Sequence, residues 1–153
     1  MNKLEEIMSR FPELNFTFTR DMPDPQGAFI FKKNVYVNSN KSYRQILQNV
    51  AEEIGHYVTS FGNIYLQKNT LERKQELRAR EYGYKMLISL DGLIDCYEHD
   101  ITNPWEVADY FEVDEDYLWG VIETLKAKRG NRFDYNGYTF DLTNGLNICK
   151  LVH

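Results

Sequence analysis

Glu52, Glu53 and His56 fall within the run Glu52-Glu53-Ile54-Gly55-His56. On a helix, residues four apart lie one above the other, so the Glu52 carboxylate and the His56 imidazole can reach a common point. Glu53 then stands about 100 degrees round the axis. Carboxylate oxygen and imidazole nitrogen both ligate divalent metals, and an adjacent carboxylate can take a proton from an attacking water. The chemistry on offer is metal-assisted hydrolysis, with Glu52 and His56 as metal ligands and Glu53 as the catalytic general base.

The layout is that of the zinc-protease helix motif, in which positions one and five bind metal and position two is the base. The familiar first ligand is histidine; glutamate is workable there because its oxygen binds zinc at about the same distance. By itself a Glu-Glu-x-x-His string is a weak signal, since acidic residues crowd helix surfaces and Glu–His pairs often only interact with each other. Three features add weight: an apolar face able to hold the helix rigidly, a glycine that admits a close neighbour, and a histidine at the required place in a chain with three of them. The third ligand should come from a neighbouring helix. Glu76 is the choice, on one stripe with the small residues Ala79 and Gly83, which would let that helix lie against the first. Glu72, one turn earlier, is the fallback, and Glu81 is expected to be solvated beside Arg78 or Lys85.

The elements that must position these groups follow from periodicity. Leu4, Ile7, Met8 and Phe11 predict a short opening helix closed by Pro12. Leu14 to Thr19, Ala28 to Phe31 and Val35 to Val37 read as three short strands of a small antiparallel sheet, with turns at Asp21 to Gly27 and Lys32 to Asn34. Ser42 followed by Gln45 has the form of a capping box. It opens a long amphipathic helix through Tyr43, Ile46, Leu47, Val50, Ile54, Tyr57, Val58 and Phe61, with Gly62 as terminator. A second helix is expected from about Thr70 to Ile88 with Leu77, Tyr84 and Leu87 inward. A helix from Asn103-Pro104 carries Val107, Ala108 and Phe111, and another after Asp114 carries Leu118, Val121, Ile122 and Leu125. Arg132 to Tyr135 and Tyr138 to Asp141 flank Asn136-Gly137 as a hairpin, to which Leu146 to Leu151 can add a strand.

At this level the chain resembles the ImmA/IrrE metallo-endopeptidases of bacteria, phages and mobile elements. The resemblance rests on Ala51-Glu52-Glu53-Ile54-Gly55-His56-Tyr57-Val58-Thr59-Ser60, on Glu76 to Leu87, and on Val107 to Val113. It covers most of the chain from about residue 14 onward. It implies Glu52, His56 and Glu76 as metal ligands, Glu53 as base, and a gluzincin-like core of helices packed on a small sheet. The implied substrate is a helix-turn-helix repressor encoded nearby. Most members carry histidine where Glu52 stands, while a phage-associated branch looks like this sequence. The resemblance implies zinc, and because two carboxylates and one imidazole make a harder, more anionic site, manganese or iron is also compatible.

The fold class expected is therefore α+β in a single domain. The metallopeptidase-like core spans about 1–100, and a helix pair and hairpin extend it over about 101–153. With 153 residues, 42% hydrophobic and 27% charged, the chain has the composition of a folded globular domain. No apolar run is long enough to span a bilayer, and Glu5 and Glu6 interrupt the first apolar stretch as no secretory signal would allow. Cys96 and Cys149 read as buried or idle thiols rather than a disulfide, and the cytoplasm is the expected compartment.

Net charge is −5, which disfavours contact with a phosphate backbone. The one dense basic cluster, Lys126, Lys128, Arg129 and Arg132, follows a helix C-terminus, where the dipole favours cations. Trp105 to Leu125 has the rhythm of a DNA-reading helix pair but carries seven acidic side chains, so direct nucleic-acid binding is not expected. His99, between Glu98 and Asp100, is read as a solvated residue. The competing function is an inactive protease-like module that docks a protein partner through this acidic helix pair; the bland reading is an α+β domain with accidental Glu and His spacing.

Overall fold

The computed structural model describes residues 1–23, 25–60 and 70–152, with the backbone alone for 70–72. The chain is α+β and divides into two compact units, Met1–Leu87 and Ile88–His153. Among the described residues no helix is long and apolar enough to cross a membrane.

The first unit opens with α1 (Lys3–Ser9), whose Asn2 and Glu5 satisfy each other's backbone N–H groups in a capping box. Strands β1 (Asn15–Thr19), β2 (Ala28–Phe31) and β3 (Asn34–Asn38) follow. The sheet order is β1-β3-β2, and here the expectation of an antiparallel sheet is corrected. β2 and β3 form an antiparallel hairpin, but β1 pairs with β3 in parallel, Phe16 beside Val35 and Phe18 beside Val37. The short turn at Lys32-Lys33, with Lys32 at φ 58°, forces β2 and β3 to be neighbours. The longer connection from Arg20 to Gly27 carries the chain past β3 to the far edge. That leaves β3 central, and Val35 and Val37 are fully buried against the helices.

Helix α2 (Tyr43–Thr59) begins as its sequence requires: the Ser42 hydroxyl accepts from the Gln45 N–H at 3.2 Å, and the Gln45 side chain accepts from the Ser42 N–H at 3.3 Å. Leu47, Val50, Ala51, Ile54 and Gly55 make its buried face, which packs on β2, β3 and the helix α3 (Thr70–Leu87). α1 is tied along α2, with the Tyr43 hydroxyl accepting the Leu4 N–H at 3.3 Å and Phe11 meeting Tyr57 edge-on. Phe61 and Gly62, the expected end of this helix, lie outside the described residues; Ser60, the last described residue before them, caps it. Leu77 was expected inward but is 54% exposed, whereas Ala79 and Leu87 are buried. The α3 stripe against α2 runs through small residues, and a leucine two positions before Ala79 falls on the opposite side.

The second unit begins with α4 (Leu90–Glu98), an element not among those expected, although Leu90, Leu93, Ile94 and Tyr97 stand at helical spacing. Ser89 caps it by accepting the Gly92 N–H at 2.9 Å, and Leu93, Ile94 and Cys96 are buried. α5 (Pro104–Tyr110) buries Val107 and Ala108, and α6 (Glu115–Arg129) buries Leu118, Val121 and Ile122. Strands β4 (Arg132–Tyr135), β5 (Tyr138–Asp141) and β6 (Asn147–Lys150) make an antiparallel sheet in that order. Asn136 and Gly137 take φ of 52° and 85°, the primed turn their types favour. Cys96 is buried and Cys149 exposed, both free.

Candidate metal site between α2 and α3

The site is made by how closely two helices of the first unit can approach. A Cβ on Gly55 would lie 2.1 Å from the Ala79 carbonyl oxygen, and one on Gly83 would lie 3.2 Å from the Ala51 carbonyl. Gly55 meets Ala79 and Ala51 meets Gly83, so each step of four back along α2 is answered by a step of four forward along α3. The helices are therefore antiparallel and touch backbone to backbone. Gly55 is needed because any side chain there would enter the α3 main chain.

One row round from that contact stand the polar groups. His56 Nε2 lies 3.4 Å from Glu76 Oε2, with the His56 side chain 24% exposed and Glu76 56%. A turn away, Glu52 Oε1 lies 3.4 Å from Arg80 Nε. Two of the three expected ligands are thus together, and the third stands on the same face with one carboxylate oxygen engaged by arginine. Among the described residues no group of three His, Cys, Asp or Glu side chains is gathered tightly enough to hold an ion as it stands. The fallback, Glu72, has its side chain outside the described residues.

Glu53 lies behind this row. Its Oε2 is the one buried side-chain polar atom among the described residues with no hydrogen-bond partner. Burial is the main reason its carboxyl is pushed up to about 8, and the charges of Glu52 and Glu76 add to it. The two carboxylates acting on Glu53 are the two expected ligands, so the four groups form one electrostatic cluster. The donor set suits a divalent cation: two carboxylates, an imidazole and an orphaned acid whose charged form needs a positive neighbour.

His56 is anchored by the end of its own helix, where its carbonyl accepts from the Ser60 backbone N–H at 3.0 Å and from the Ser60 hydroxyl. His99 is not part of the cluster: it caps α4 with Nδ1 2.7 Å from the Asp95 carbonyl. Arg80 is the site residue that motif spacing passes over. Its signal was available, since it follows Glu76 by one turn and must share that residue's face.

No protein-family model, curated protein or solved structure matches the chain.

Proposed function

We propose that the chain is a metal-dependent endopeptidase of the ImmA/IrrE kind, acting in the cytoplasm on a protein substrate. The substrate class that goes with this reading is a helix-turn-helix repressor of a phage or mobile element. The observation that carries it is the antiparallel contact that sets His56 beside Glu76 with the orphaned oxygen of Glu53 close by. Glu52, His56 and Glu76 would hold the cation, zinc or, given two carboxylates, manganese or iron. When bound, such a cation supplies Lewis acidity at the scissile carbonyl and the attacking water. Glu53 takes the proton of the water and passes it to the leaving amine. The backbone contact at Gly55 and Ala79 keeps ligands from two helices in fixed register.

A second reading has one observation in its favour, the pairing of Glu52 with Arg80 in place of a closed set of three ligands. In it the chain is an inactive protease-like module that docks its partner through the acidic pair α5 and α6. Co-expression with repressor proteins carrying helix-turn-helix domains separates the two. Site-specific cleavage by the wild type, reduced about 10²- to 10⁴-fold in Glu53→Gln, supports the enzyme. Undiminished cleavage by a folded Glu53→Gln variant removes Glu53 from the role of base, and capture of the repressor without cleavage supports the module.

A further inference from the structure

Glu52 and His56 are one turn apart on α2, and the residues that face them from α3 are Arg80 and Glu76, again one turn apart. One of the two opposing positions thus adds an acid and the other adds a cation. The Arg80–Glu52 pair is half exposed at the arginine, with side-chain exposures of 50% and 36%, and a pair so wetted does little to hold two helices together. Stability does not explain it. Arg80 Nε donates to Glu52 Oε1 at 3.4 Å.

Metal-ligating side chains are held by outer partners of matching hydrogen-bond type. A ligating histidine donates its second ring N–H to an acceptor, while a ligating carboxylate accepts from a donor. Arginine carries donors and no acceptor, so it can orient a glutamate and cannot orient a histidine. It also offsets the extra negative charge that a glutamate brings in place of a neutral imidazole.

Resting on the metal site of the proposed function, we propose that Arg80 is the positioning residue that determines which ligand works at position 52. It fixes one oxygen of Glu52, presents the other to the cation, and makes histidine at this position unsuitable. The usual hierarchy, in which imidazole is at least as good a zinc ligand as carboxylate, is inverted by the residue opposite. Orientation and charge act in the same direction: Glu52→His facing Arg80 loses its orienting partner and sets a surplus cation beside the metal.

The test is a zinc titration of the tag-free, full-length protein in competition with a chromophoric chelator, using wild type, Glu52→His and Glu52→His/Arg80→Asp. Melting curves of each metal-free protein run alongside, and the exposure of both positions favours folding of all three. Glu52→His should bind zinc about 10- to 100-fold more weakly than wild type. The double variant, in which aspartate accepts the ring N–H, should recover most of that loss without a matching change in melting temperature. Glu52→His binding as tightly as wild type with Arg80 in place overturns the assignment, as does a double variant no better than the single one. Both of those results leave the metal site itself standing, whereas a wild type that binds no zinc overturns site and assignment together.

Discussion

An acid whose buried oxygen meets no donor is stable there only when protonated or when a positive charge is brought to it, and Glu53 is in this position. Its carboxyl, near 4.5 when unfolded, is pushed up to about 8 in the fold. The folded state therefore binds the proton more tightly, and this contribution to stability is fully present below the unfolded value. It is lost as pH rises from about 4.5 to about 8, because the folded protein must then carry a desolvated charge. For the metal-free protein the loss amounts to a few kcal/mol at most. Urea unfolding at a series of pH values should show wild type weakening through that window relative to Glu53→Gln, with excess divalent cation reducing the difference. Parallel curves for the two proteins would remove the burial argument. At this scale the sequence was informative where a local rule applies: spacing, together with the apolar face and Gly55, nominated Glu52, Glu53 and His56. Arg80 escaped because one more cation on a highly charged helix carries no local mark, and its meaning comes from the residue across the contact.

The elements were legible for the same kind of reason. The Ser42 and Gln45 capping box and the apolar face from Leu47 to Ile54 belong to α2 alone, and both stand where local pattern puts them. The small residues of α3 marked the side that approaches a neighbour, although Leu77 next to them was misread because so charged a helix has little apolar contrast to orient it. Strand order was beyond local reading. Alternation marks β1, β2 and β3 as strands but does not say that β3 lies between the others, parallel to β1. The helix contact makes its own prediction. Gly55→Ala drives a methyl into the Ala79 carbonyl, so it should destabilise the protein by about 1–3 kcal/mol or more despite the better helix propensity of alanine. Gly83→Ala, with 3.2 Å of room, should cost markedly less. Chemical denaturation of both variants checks this, and equal costs would mean that the helices can slide apart without penalty.

For the whole molecule, composition pointed to a folded chain and periodicity to an α+β one, while its division after Leu87 depends on packing that no single segment announces. α5 and α6 have the succession of a DNA-reading pair, yet Glu106, Asp109, Glu112, Asp114, Glu115, Asp116 and Glu123 crowd them and the chain carries a net charge of −5. Binding to duplex DNA should be absent even at low ionic strength, where counterion release favours any basic surface most. A mobility-shift titration at about 50 mM salt checks it, and retarded duplex would require a phosphate-binding face of a kind the charge distribution argues against.

What remains is whether side chains from two helices share one cation. Elemental analysis of the full-length protein, produced without a histidine tag and dialysed against metal-free buffer, addresses this directly. The account predicts one equivalent of a divalent transition metal per chain, lost in a folded Glu76→Ala variant. A wild type free of metal after supplementation, or a Glu76→Ala protein that keeps its full equivalent, would contradict it.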